Sequence, residues 1–371
     1  RRAGLTVRPR LGQGRGSFRA APPVPHPQHA IPRNRSMSDP TSPRTQPLRS
    51  IAFDDGLPAS LRGAHVAIGN FDGMHRGHQA VLEATLDRAR AAGRPALALT
   101  FEPQPRSCFA PDKPVFRLTP PAAKARLAAA LGLDGLVVVP FDGEFAALSA
   151  DDFVARVLVD GLGLANATVG WDFHFGKGRS GSPAFLSTAG TRHGFGVDVV
   201  EPHTAEDGAL VSSSRIRTAL EAGDLAEAAG LLGYRWFVEG TIVGGDRRGR
   251  DLGFPTANMR LSDDCRLKHG VYAVIFTVDG VAHLGAANWG RRPQFDDGAP
   301  VLETHVLDFS GDLYGRTADV TFVSYLRPEA KFASLDGLVE QMKADCAEAR
   351  AVLSAIGPGS ALDRALAELH P

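Results

Sequence analysis

Gly69-Asn70-Phe71-Asp72-Gly73-Met74-His75-Arg76-Gly77-His78-Gln79 joins an apolar run, 64–69, to a stretch of helical spacing, 77–92. The run reads as a buried strand. The stretch reads as a helix with Val81, Leu82, Thr85 and Leu86 on one face. A loop between strand and helix opens onto the crevice where open α/β sheets bind ligands. Free backbone N–H groups at a helix start attract phosphate. Gly73 and Gly77 allow a tight turn and close approach of a ligand. His75 and His78, three residues apart, project to one side and can donate to phosphate oxygens. The plainer reading is a glycine-rich loop with two surface histidines.

Working outward, the first half alternates strand and helix signals. Residues 95–101, 136–139 and 167–170 are short apolar runs. Thr119 reads as an N-cap with Pro120 first in the helix and Gly132 at its end, and 151–162 is helical. Such alternation predicts a parallel sheet covered by helices. After about Tyr234 the period changes. Residues 237–243, 271–278, 281–287, 301–307 and 318–325 read as closely spaced strands, which predicts a small antiparallel barrel. A closing helix over 335–353 carries an apolar stripe of Leu335, Leu338, Val339 and Met342. The expected domains are 49–233 and 234–356, with an N-terminal extension 1–48 and a tail 357–371.

The 371 residues hold 41 basic and 41 acidic side chains, so no net charge draws the chain to nucleic acid or an anionic membrane. The three cysteines, Cys108, Cys265 and Cys346, are widely spaced and show no zinc or disulfide pattern. That composition suits a reducing compartment, and cytoplasmic location is expected. No run approaches the roughly 18 apolar residues of a membrane span. Residues up to Arg35 lack Asp and Glu and are rich in Arg, Pro and Gly, and the first Met is Met37. Three readings compete there: a misplaced translation start, a disordered basic tail, or a transit peptide. Pro and Gly oppose the amphipathic helix of the last.

Further motifs carry chemistry. Asp172-Phe173-His174-Phe175-Gly176 follows a strand, so Phe173 and Phe175 could line a pocket for a flat ring, with Asp172 on a ring edge. Core aromatics with a turn aspartate are the alternative. Ser212, Ser213 and Ser214, then Arg215 and Arg217, open a helix and could clamp a triphosphate; capping alone is the alternative. In the second half, 244–258 is a Gly/Arg loop ending in Gly253-Phe254-Pro255-Thr256-Ala257-Asn258. It has neither the GxxxxGK[ST] of a Walker loop nor the signatures of a protein kinase. Val301, Glu303, His305 and Leu307 share one strand face, which would point Glu303 into the barrel mouth, as a base or as half of a salt bridge.

With Thr100-Phe101-Glu102-Pro103, Val211–Arg217, Gly270-Val271-Tyr272-Ala273, Asn288–Pro293 and Glu303-Thr304-His305, these pieces stand in the order found in one family. The His-x-Gly-His element resembles the nucleotidyltransferase superfamily, and the whole string resembles bifunctional riboflavin kinase/FAD synthetases. The resemblance spans about Val66 to Arg350. It implies an α/β nucleotidyltransferase domain with a parallel sheet, then an antiparallel β-barrel kinase domain with a C-terminal helix. It implies phosphorylation of riboflavin to FMN and adenylylation of FMN to FAD. His75 and His78 would stabilise adenylyl transfer, and Glu303 would be the kinase base. ATP phosphates would meet Gly69, Phe71, Asp72, Gly73, Ser213, Ser214 and Arg217. Flavin would meet Asp172, Phe173 and Phe175 in the first site. In the second, Gly253, Thr256 and Asn258 would hold ATP and its Mg²⁺, and Arg291 and Arg292 the flavin. ATP is then a co-substrate, Mg²⁺ arrives with it, and no permanent metal is expected. Riboflavin, FMN and ATP are the expected partners, without nucleic acid or membrane; oligomeric state stays open, a transient homo-oligomer included. Gln104, His174 and Gln294 depart from the residues common in relatives, which carry His, Arg and Thr there. Two rivals remain: a kinase whose first half has lost adenylylation, and a flavin- or RNA-binding regulator on the same folds.

Overall fold

A computed structural model of the chain describes residues 48–109, 114–244, 254–291 and 300–369. The extension 1–47, Gly253, Arg292 and Gln294 lie outside the described residues.

The first half is a six-stranded parallel sheet in the order β1-β4-β3-β2-β5-β6. Its strands are β1 Arg49–Ala52, β2 His65–Ile68, β3 Ala96–Glu102, β4 Gly135–Pro140, β5 Asn166–Gly170 and β6 Gly196–Val200. The central four match the apolar runs. β1 and β6 are the edge strands, outside the apolar runs expected from the sequence, and β6 has no fully buried residue. The chain winds from β2 through β3 to β4 on one side and through β5 to β6 on the other. The strand order therefore reverses between β2 and β5, and the loop 69–75 leaves β2 at that switch point.

Helices α1 Arg76–Ala92, α2 Pro105–Phe109, α3 Pro121–Ala130, α4 Gly143–Ala146 and α5 Ala150–Asp152 follow, α5 running into a wide π-type segment Phe153–Leu162. Next come α6 Pro183–His193, α7 Ser213–Ala222 and α8 Leu225–Leu232. Helix α1 buries Val81, Leu82, Thr85 and Leu86, the expected face, plus Ala89. Thr119 is not the N-cap of α3. That position is Pro120, without a side-chain cap, and the Thr119 hydroxyl instead accepts the Gly73 N–H at 2.9 Å.

The second half is a closed six-stranded antiparallel barrel, β10-β11-β8-β7-β12-β9. Its strands are β7 Phe237–Val243, β8 Thr256–Arg260, β9 Gly270–Val278, β10 Val281–Gly290, β11 Val301–Val306 and β12 Thr317–Arg327. β8 escaped the sequence reading because Thr-Ala-Asn-Met-Arg has no apolar run. Leu302, Thr304 and Val306 are the buried face of β11, so Glu303 and His305 lie on its half-buried face rather than inside the barrel. The closing helix α9 Leu335–Ala355 packs through Ala349 and Leu353 against Ala273 and Ala286. Its expected stripe behaves differently: Leu335 is exposed, and Leu335, Leu338 and Met342 line a cavity.

The halves share a core. One apolar cluster runs from Ala67, Leu82 and Ala98 under the sheet, through Tyr234 and Trp236, to Val274 and Leu302 in the barrel. A second cluster, with Val66, Leu97 and Phe153, covers the other sheet face. Arg126 of α3 crosses the junction. It binds Asp319 through two hydrogen bonds (2.8 and 2.7 Å) and Glu239 at 2.7 Å, and lies over the Phe237 ring. Residues 357–371, expected as a tail, contain helix α10 Ala361–Glu368, opened by a Ser360/Asp363 capping box. It contacts α3, buries Leu362 and Leu366 in the shared core, and Asp363 accepts the Arg235 N–H.

Candidate active sites

The loop after β2 bends through left-handed backbone at Phe71, Gly73 and Met74 (φ 47°, 84° and 37°). Two of these are not glycine, so packing must hold them. Phe71 and Met74 are fully buried. His75 then caps α1: its Nδ1 accepts the His78 N–H at 3.3 Å. That bond leaves the proton of a neutral His75 ring on Nε2, as a donor. The two imidazoles stack with centroids 3.7 Å apart, and Phe71 meets His78 edge-on. Burial pushes the His75 pKa down to about 4, against a smaller opposing pull from Asp72. Burial also holds His78 well below its ordinary value, helped by His75 and Lys124. Both rings are therefore neutral donors at pH 7.

Asp72 sits behind them, buried. Its Oδ1 accepts from Leu118 N (3.0 Å) and Thr119 N (3.1 Å), and its Oδ2 pairs with Arg217. Arg217 also donates to Phe116 O at 2.7 Å, and Ser213 Oγ donates to Asp72 O at 2.8 Å. Asp72, Ser213 and Arg217 thus come together as expected, but here they bind each other and the loop backbone. Ser212 is the N-cap of α7, and Ser214 follows in its first turn. On the opposite side buried Lys124 donates to Thr100 Oγ1 and Glu102, and Thr100 holds Asn70 O. Gln104 is buried beside this strand end, its Nε2 without a partner.

The 172–175 element divides. Phe175 is a core side chain packed on Phe153 and Phe185, and Phe173 stacks on Phe175 at 5.3 Å. Asp172 and His174 are exposed, with His174 Nδ1 donating to Asp172 O.

In the barrel, strand register builds the second site. Glu303 on β11 is paired with Asn258 on β8 and with Asn288 on β10, and His305 with Thr256. Cross-strand partners put their side chains on one face about 5 Å apart. Glu303, Asn258, Thr256, Asn288 and Arg291 line a cavity of about 1000 Å³ between the barrel wall and α9. His305 Nδ1 donates to Pro255 O at 2.9 Å and its ring meets Phe254 edge-on, which pins the end of the Gly-Phe-Pro-Thr-Ala-Asn segment. Arg327 lines the far side, held by two 2.7 Å bonds to Asp345 of α9. Sequence reasoning missed Asn288, His305 and Lys124 as site residues. Strand alternation already puts His305 on the Glu303 face, register adds Asn288 beside Glu303, and Lys124 is marked by its burial. Among the described residues no group of three or more His, Cys, Asp and Glu is arranged to hold a metal.

Comparison with known proteins agrees with both halves. Residues 57–215 match the FAD synthetase family and residues 232–353 the riboflavin kinase family. A bifunctional riboflavin kinase/FMN adenylyltransferase from Pseudomonas fluorescens is 44% identical over 293 residues, covering 78% of this chain and 93% of the relative. Its counterpart from Escherichia coli K12 is 42% identical over 294 residues, covering 79% and 93%. A crystal structure from Streptococcus pneumoniae, described as a macrolide-efflux protein, shares the fold with TM-score 0.71 and 30% identity, over 81% of this chain and 98% of that one. No described helix here is long and apolar enough to cross a membrane. With two matched domains, each containing one of the two sites, the chain belongs to the bifunctional riboflavin kinase/FMN adenylyltransferase family.

Proposed function

We propose that the two activities are divided between the two sites: the crevice above β2 adenylylates FMN, and the cavity under α9 phosphorylates riboflavin. The chain is a transferase with riboflavin kinase and FMN adenylyltransferase activities, making FMN and FAD. In the kinase step a ribityl hydroxyl attacks the γ-phosphorus of ATP, its proton passes to Glu303, and ADP leaves. In the second step an FMN phosphate oxygen attacks the α-phosphorus and pyrophosphate leaves. The His75 Nε2–H and the His78 ring then meet charge growing on phosphate oxygens. Neither step needs a protein nucleophile.

Mg²⁺ arriving with ATP would supply neutralisation of the phosphate charge. The Thr256 hydroxyl and the Asn258 amide oxygen, one strand from Glu303, fit a hard cation that takes oxygen ligands. Arg291 at the cavity edge suits the flavin. Three free cysteines support a cytoplasmic setting.

The observation that carries this division is the Asn258–Glu303–Asn288 row in a flavin-sized cavity, apart from the histidine pair. The test is to incubate the protein with riboflavin, ATP and Mg²⁺ and separate the flavins. FMN then FAD, with pyrophosphate, is expected. FMN alone would favour a kinase without adenylylation, the reading to which Gln104, in place of the His common in relatives, points.

A further inference from the structure

The left-handed backbone at Phe71, Gly73 and Met74 survives only where its surroundings over-determine it. Part of that support comes from the first domain: Asp72, Thr119, Ser213 and Arg217 tie the loop to 116–119 and to α7. The rest comes from the chain that enters the barrel. Tyr234 OH donates to Gly73 O at 2.8 Å, and Trp236 Nε1 donates to Leu118 O at 2.9 Å. Both side chains are buried, at 2% and 3% exposure. Gly73 therefore has its N–H held by Thr119 and its C=O held by Tyr234, two residues before the cap His75. Trp236 holds the 118–119 peptide, whose N–H, on Thr119, binds the Asp72 carboxylate.

Trp236 is anchored in the barrel. It stacks on Phe322 of β12 at 5.2 Å, and its carbonyl accepts the Phe322 N–H at 2.9 Å. Burial keeps the Tyr234 phenol protonated, so it remains a donor. A buried Tyr or Trp needs a polar partner, and either could have found one on a nearby strand. Tyr234 instead reaches the catalytic loop of the other domain, and Trp236 the segment that holds it.

We propose that Tyr234 and Trp236 are positioning residues for adenylyl transfer, lending one hydrogen bond from the barrel side to the loop that presents His75 and His78 and one to the 118–119 peptide that holds that loop through Asp72. This rests on assigning that loop to adenylylation. The phosphate donors must sit within tenths of an ångström of their targets, so a loop released by one bond loses rate more than affinity.

The experiment uses the full chain with Tyr234→Phe, which removes only the donor, and Trp236→Phe, which removes the donor together with part of the buried ring, so that FMN formation and the melt separate the two effects. FAD formation from added FMN is resolved into kcat and KM, FMN formation from riboflavin is the internal control, and a thermal melt follows the fold. His78→Ala is run beside them. The expected result is a fall in kcat for FAD formation of about 10- to 100-fold in each variant, with FMN formation unchanged. Should Tyr234→Phe fail to fold, Trp236→Phe decides. FAD turnover within about two-fold of the parent in both variants overturns the proposal, as does a parallel loss of FMN formation, which is the mark of a purely structural role. A loss in one variant alone assigns the role to that residue and removes the other. Full FAD formation in His78→Ala would overturn the site assignment itself, whatever the other two do.

Discussion

The two sites are built by opposite means. The barrel site follows from register: once β8, β11 and β10 pair, Asn258, Glu303 and Asn288 stand in a row on one face, and His305 beside Thr256. No loop has to be held in an unusual shape to make that row. The sheet site depends on a loop with three left-handed residues, held by hydrogen bonds from partners as far as 161 positions away. A ladder specifies positions through a repeated local rule, whereas a loop must be over-determined from outside. The barrel site should therefore respond to changes in its own side chains, and the sheet site also to changes in the braces around it.

The largest effect expected is at Glu303. Glu303→Gln keeps size and most hydrogen bonding but cannot accept a proton at neutral pH, so kcat for FMN formation should fall about 10²- to 10⁴-fold. FAD formation from added FMN should persist, and steady-state kinetics of the two reactions check both. A near-normal kcat would take the carboxylate out of the mechanism. Next, His78→Ala should lower FAD formation by about 10²- to 10³-fold, the usual loss for one preorganised donor, while leaving FMN formation intact. Equal loss of both activities with an unchanged circular dichroism spectrum would break the separation of sites.

At the junction, Arg126→Ala removes the cation shared by Asp319 and Glu239, which are 6% and 18% exposed. Chemical denaturation should show a loss of about 3 kcal/mol, spread over both halves because they share a core. If the barrel alone were destabilised, the shared core would not be a cooperative unit. The smallest effect is pH dependence. The folded His75 pKa is about 4, below its ordinary 6.5, so the folded state resists a proton that the unfolded chain accepts. This contribution is complete above pH 6.5 and is lost as pH falls through the folded value. Stability should drop between pH 6.5 and 4, by on the order of 3 kcal/mol, and His75→Asn, which keeps a capping acceptor, should flatten that slope.

Much of this was legible in the residues. The change of apolar period near Tyr234 marks where the sheet gives way to the barrel, and β7 runs over the residues read for it. The strand–loop–helix around His75 is also where it was expected. β8 was invisible because Thr-Ala-Asn-Met-Arg holds no apolar run, yet it carries Thr256 and Asn258. Phe175 looked like a ring-stacking residue and is core, since aromatic spacing is the same for both uses.

Sequence alone determined which side chains could do the chemistry and the order of the elements that bear them, because periodicity and turn residues act locally. Only the tertiary structure decided which face of β11 Glu303 uses, that Arg217 binds Asp72, and that Tyr234 reaches back to the first loop and Trp236 to the segment holding it. Those contacts join residues more than a hundred positions apart or depend on which neighbour covers a strand, and no local pattern encodes either.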